Sequence, residues 1–202
     1  MPYFYRPDWT PVPDLPRSGQ PLQLIAAFVA ATSGSDRAAD ALAICKTLAD
    51  TCGRFFAHRD GGYCFARSIY VWPLRGVELK VPERTWWNQT EASRGLLLLA
   101  LLLPGETDRR MAFARQWAFV ENRLIDPVHH GFYESAEDRD KARSWMARIS
   151  KTHIWKDASH EAHLLMDAVG WLRNGPQFEL GQSESGVAGR LAAARSDLAD
   201  KV

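Results

Sequence analysis

The chain has 202 residues, 46% of them hydrophobic, enough for one sizeable core and too many for extended disorder. Its 25 basic and 24 acidic residues leave a formal charge of +1, so no global field recruits nucleic acid or an anionic membrane surface. Cys45, Cys52 and Cys64 have neither the even count nor the spacing of a secreted disulfide framework, and no histidine stands near them at zinc-ligand spacing. They read as reduced core thiols.

Residues 1–20 carry Pro7, Pro11, Pro13 and Pro16 without apolar periodicity and read as an extended arm anchored by Trp9. The first nine residues lack the basic start and apolar run of a signal peptide, and the longest apolar run, Gly95 to Pro104, is too short to span a bilayer. A soluble cytoplasmic protein is the expectation. Pro21 to Thr32 predicts a helix that is apolar on most sides and must be buried, stopped at Gly34. A second helix, capped by Ser35 or Asp36, runs to about Phe56 with Ala38, Ala39, Leu42, Ala43, Cys45, Leu48, Ala49 and Cys52 as its buried stripe.

Asp60-Gly61-Gly62 then supplies a turn, Tyr63 to Ala66 a short strand, and the stretch to Arg84 reads as irregular, a region that could form a surface hairpin. The third helix runs from Trp86 to about Leu103 and ends at Pro104-Gly105. Thr107 or Asp108 caps the fourth, whose face is Phe113, Trp117, Val120 and Leu124; Asp126-Pro127 closes it before the short strand Phe132-Tyr133. After a charged stretch from Glu134 to Arg148, Asp157 or Ser159 caps a fifth helix with Leu164, Leu165, Ala168, Val169 and Leu172 on its buried face. Residues 174–202 read as a flexible tail in which Val187 to Leu198 could form an alanine-rich helix.

Trp155-Lys156-Asp157-Ala158-Ser159-His160 places a histidine in the first turn of that last helix. Its imidazole changes charge near neutral pH, beside an aromatic wall and a cation, and so suits general acid/base work. The alternative is a helix-start histidine satisfied by structural hydrogen bonds. In Trp86-Trp87-x-Gln89-x-Glu91-Ala92, an aromatic face suits the apolar side of a sugar ring, and an amide and a carboxylate suit its hydroxyls. Equally, both tryptophans fit a core.

Taken together, Trp86-Trp87-x-Gln89-x-Glu91-Ala92, then Trp117-x-Phe119 with Asp126-Pro127 and Gly131-Phe132-Tyr133, then Trp155-Lys156-x-x-x-His160, resemble in order the C-terminal half of the N-acylglucosamine 2-epimerase superfamily. Its members include cellobiose 2-epimerases and mannose-type aldose–ketose isomerases. The resemblance covers roughly residues 3–173. It implies an all-α fold, a partial (α/α)6 toroid forming the C-terminal half of the barrel, with short β-hairpins between helix pairs. The half-barrel domain would span residues 21–173.

The resemblance also implies proton abstraction at C2 of an open-chain aldose or ketose through an enediol, with reprotonation to an epimer or an aldose–ketose isomer. His160 would be one acid/base group, and Trp86, Trp87, Gln89, Glu91, Trp155, Lys156 and Gln20 would line the sugar pocket, with no metal or cofactor implied. Three departures stand out. Ala158 replaces an aromatic residue. Gln20 and Gln23, in Gly19-Gln20-Pro21-Leu22-Gln23, stand where the family carries a catalytic histidine and a glutamate, and an amide cannot accept a proton at neutral pH. The barrel's N-terminal half is not in this sequence, and open helix faces call for a partner, either a second copy or a separate N-terminal half.

Weakened proton transfer on a small-molecule sugar is therefore the first expectation, with no nucleic-acid or membrane partner. A non-catalytic carbohydrate-binding or assembly module is the alternative. Glycoside hydrolysis or lyase chemistry ranks lower, because Glu91 has no second carboxylate in an equivalent motif.

Overall fold

The computed structural model describes residues 17–18, 20–64, 66–69, 78–81, 84–137 and 158–176, and its core is built around one central helix. A 3-10 turn over Gln20–Gln23 leads into α1 (Leu24–Thr32), followed by α2 (Ala38–Phe55), α3 (Trp86–Leu102), α4 (Thr107–Arg123) and α5 (Ser159–Asn174). Strands β1 (Arg17–Ser18), β2 (Ala66–Ile69) and β3 (Glu78–Val81) form a small antiparallel sheet in that order. Arg17 pairs with Arg67, and Arg67 with Lys80. The last residues of the expected arm are thus a strand, and the stretch expected to be irregular contains two more. Tyr63 makes only an isolated bridge to Ala57.

Helix α3 is the axis. A helix apolar on every side persists only when every side is covered, and α3 packs against α4, α5, α1 and the 3-10 turn, leaving Leu96 to Leu102 all buried. Gly95 makes the close approach possible, since a Cβ there would lie 2.5 Å from the Leu22 carbonyl oxygen. Leu103 follows the helix, and Pro104-Gly105 forms the turn into α4.

The other helices are amphipathic, with faces that differ from the expected ones. Helix α2 buries Ala38, Ala41, Cys45, Ala49 and Cys52, while Ala39 and Ala43 face solvent. Burial pushes the Cys45 thiol up to about 11 and the Cys52 thiol up to about 12, as suits reduced core cysteines. Helix α1 buries only Ile25, Ala26 and Val29, and Phe28 is exposed: its neighbours among the described residues cover one face, not all of it. In α5 the buried residues are Leu164 and Trp171, whereas Leu165 and Val169, expected inside, are 46% and 48% exposed. Ala158, not Asp157 or Ser159, takes the N-cap position, without a side-chain cap. Among the described residues no helix is long and apolar enough to cross a membrane.

Candidate functional site

The N-terminus of α3 is anchored on two sides before it presents any side chain to a ligand. Trp86 N donates to the Glu134 carbonyl at 2.8 Å, and Thr85 bridges Ser135. Buried Arg84 donates from Nε to Glu137 Oε1 at 2.8 Å and from Nη1 to the Gly61 carbonyl at 3.1 Å, with its guanidinium 5.0 Å from the Phe119 ring centre. On the second side, Tyr63 N donates to Gln89 Oε1 at 2.8 Å, while Gln89 Nε2 and Asn88 Nδ2 donate to the Tyr63 carbonyl at 2.7 and 3.0 Å. These bonds satisfy a buried turn backbone.

This arrangement splits the Trp-Trp-x-Gln-x-Glu motif between two faces of one helix. Residues four apart are neighbours on a helix, whereas residues two apart are turned about 200° from each other. Trp86 is buried beside Phe119 and Val120 in a second core cluster, and Gln89 is fully buried, its side-chain Oε1 also accepting from Gln116 Nε2 at 3.2 Å. Both expected sugar contacts thus sit in the interior, with the Gln89 amide already spent on Tyr63. Trp87 and Glu91 point the other way, toward α5.

There His160, in the first turn of α5, brings Nδ1 to 2.9 Å from Glu91 Oε1. The Glu91 side chain is 9% exposed and that of His160 35%, so the carboxylate is enclosed and the ring half open. A carboxylate only accepts, so the imidazole donates from Nδ1 and keeps Nε2 as the nitrogen available to a ligand. The half-buried Trp87 ring lies 6.0 Å from the His160 ring, centre to centre, tilted by 37°. The trio brings together an aromatic ring, an imidazole and an enclosed carboxylate.

Two residues missed in the sequence extend the trio. Arg94 Nη1 lies 3.6 Å from Glu91 Oε2, and Arg94 Nε donates to Asp167 Oδ2 on α5. The available signal was spacing: Trp87, Glu91 and Arg94 share one face of α3, and His160, Leu164, Asp167 and Trp171 share one face of α5. Trp155 and Lys156 lie outside the described residues, as does the Gln20 side chain; the Gln20 backbone opens the 3-10 turn that packs on α3.

A separate cleft of about 840 Å³ between α2, α4 and the turn at 57–63 is lined by His58, Arg109, Arg115, Gln116 and Phe119 among others, but by none of Trp87, Glu91 or His160. His58 there is held below its ordinary value by burial and by the Arg84 charge, and its Nδ1 accepts from the Asp60 backbone at 3.1 Å. This contact ties the ring to the turn at 58–60. Among the described residues no cluster of three or more His, Cys, Asp or Glu side chains is placed to hold a metal ion.

No protein-family model matches this chain, and no curated protein matches it. Solved structures do. D-mannose isomerase superposes with a TM-score of 0.63 at 16% identity, over 82% of this chain and 43% of its own. Cellobiose 2-epimerase from Bacillus thermoamylovorans gives 0.59 at 18% identity, over 84% and 41%, and that from Spirochaeta thermophila 0.56 at 20%, over 81% and 39%. At such identities the likeness is one of fold: the chain is an all-α partial toroid, spanning about two fifths of the length of each of these proteins.

Proposed function

We propose that this chain carries part of the active site of a carbohydrate isomerase or 2-epimerase, with His160 as the acid/base group and Glu91 as its orienting carboxylate. The observation that carries the reading is the 2.9 Å contact of His160 Nδ1 with the buried Glu91 carboxylate beside Trp87. It is supported by a fold shared with a mannose isomerase and two cellobiose 2-epimerases. The sugar ring stacks on Trp87. In the open-chain form, His160 Nε2 takes the proton from C2, which the neighbouring carbonyl acidifies, and the electron pair passes into a cis-enediolate. The imidazolium, steadied by Glu91, then returns the proton.

The return step decides the product. One base reaches one face of the enediolate. Returning the proton to C1, with the O2 hydroxyl proton passing to O1 as C2=O forms, yields the ketose, whereas inverting C2 calls for delivery to the opposite face. Gln20, standing where the resemblance implies the other histidine, cannot deliver a proton, so the reading favours aldose–ketose isomerisation over epimerisation. Chromatography of mannose incubated with the protein tests this: fructose forms ahead of glucose. Glucose forming first, or without fructose, contradicts the single-base reading.

The alternative, an assembly or carbohydrate-binding module without turnover, is favoured by Leu165, Met166 and Val169, an exposed apolar stripe on α5 at 46%, 71% and 48%. In this reading a second copy or a separate N-terminal half covers the stripe. Light scattering on the purified chain separates part of this, because a monodisperse monomer at high concentration removes pairing with a second copy.

A further inference from the structure

We propose that Arg94 is a positioning residue: bridging Asp167 of α5 and Glu91 of α3, it holds the Glu91 carboxylate so that one oxygen faces His160 Nδ1 and fixes the imidazole tautomer. The inference rests on the acid/base role proposed for His160. Four charged or titratable side chains line the α3–α5 seam. Glu91 Oε1 meets His160 Nδ1 at 2.9 Å, Glu91 Oε2 lies 3.6 Å from Arg94 Nη1, and Arg94 Nε donates to Asp167 Oδ2. Arg94 and Asp167 are 26% and 30% exposed, partly withdrawn from water, whereas the carboxylate they control is 9% exposed.

The geometry needs arginine. A guanidinium carries its charge over separate nitrogens in one rigid plane, so Nε hydrogen-bonds Asp167 while Nη1 forms an ion pair with Glu91 at 3.6 Å, an electrostatic hold rather than a hydrogen bond. Asp167 thereby sets the plane of Arg94, and Arg94 sets the turn of the Glu91 carboxyl about its last bond, a torsion that is otherwise broad. The tautomer follows. A carboxylate held toward Nδ1 keeps the ring proton there and leaves Nε2 bare; a freely turning carboxylate lets the ring place its proton on Nε2, where no base remains.

The test reads the ring directly. Long-range proton–nitrogen spectra of the ¹⁵N-labelled chain at pH about 8.5, where an imidazole is neutral, report the tautomer of His160, assigned by its loss in His160→Ala. The wild type shows the Nδ1–H pattern, and Arg94→Met and Asp167→Ala each shift it toward the Nε2–H pattern. Unchanged native circular dichroism establishes that both variants are folded. C2-proton exchange in the variants falls by about tenfold, part of the ~10² to 10⁴-fold that a positioned acid/base supplies. A wild-type pattern retained in folded Arg94→Met overturns the inference. Absent exchange in the wild type counts against the proposed function alone, because the tautomer shift is read without any sugar.

Discussion

Gly95→Ala is the substitution whose sign the packing decides most sharply. In an ordinary helix interior the change stabilises by about 1 kcal/mol. Here the new Cβ would lie 2.5 Å from the Leu22 carbonyl oxygen and 3.3 and 3.4 Å from Ile25 Cδ1 and Cβ. The nearest atom belongs to the backbone, so relief requires the 3-10 turn to move away from α3. Leu22 and Ile25, exposed by only 1% and 0%, then lose contact with the leucine run. Overpacking of this kind costs about 3 kcal/mol at its upper end, and subtracting the propensity gain leaves a net loss of about 2 kcal/mol. In a domain of this size that lowers Tm by about 4 to 8 °C. Thermal unfolding followed by circular dichroism measures it, and a Tm equal to or above that of the wild type would refute the close approach of α3 to the 3-10 turn.

Other outcomes follow from the same packing. Gln89→Leu keeps the volume but leaves the Tyr63 N–H without its 2.8 Å acceptor, so the urea midpoint falls by the equivalent of ~1 to 3 kcal/mol; an unchanged midpoint contradicts the Gln89–Tyr63 clamp. His58 is held below its ordinary 6.5 by burial and by Arg84, against the opposing pull of Asp60 and Glu137. The fold thus favours the neutral ring, and its contribution is full above pH 6.5 and declines as pH falls through that value toward the lower folded one. Urea titrations between about pH 7.5 and 5.5 should therefore show a shallower loss in His58→Gln than in wild type, and equal slopes would count against the assignment. Iodoacetamide labels half-buried Cys64 before Cys45 and Cys52, whose thiols burial raises to about 11 and about 12; mass spectrometry showing the reverse order would disprove their enclosure.

Long, strongly patterned elements were legible from residues alone. The leucine run ending at Pro104-Gly105 defines α3 to within a residue, and the Phe113-to-Leu124 spacing defines α4. The apolar face of α5 was not. Leucine and valine stand on two sides of that helix, and the side that packs includes His160 and Asp167, polar groups satisfied only across the seam with α3. Hydrophobic periodicity cannot see partners that are themselves polar. For the same reason the motif named Glu91 and His160 while leaving Arg94 and Asp167 unnoticed, and it grouped Gln89 with Glu91 although a two-residue step turns the amide into the interior. A hairpin between the second and third helices was expected, but the bounds of its strands Ala66–Ile69 and Glu78–Val81 escaped, because four-residue segments with charged members carry no alternation strong enough to stand out.

In the proposed function His160, oriented by Glu91, moves the C2 proton of a sugar. The most direct measurement follows the C2 proton signals of mannose, glucose and N-acetylglucosamine, and the C1 proton signals of fructose, by NMR in deuterium oxide, with wild type, His160→Ala and Glu91→Gln. Signal loss is expected for at least one sugar with wild type, at a rate lower by ~10²-fold or more in His160→Ala. Glu91→Gln, which preserves shape but removes the charge, falls between the two. No exchange from folded wild-type protein with any of these sugars, or exchange untouched by His160→Ala, would contradict it.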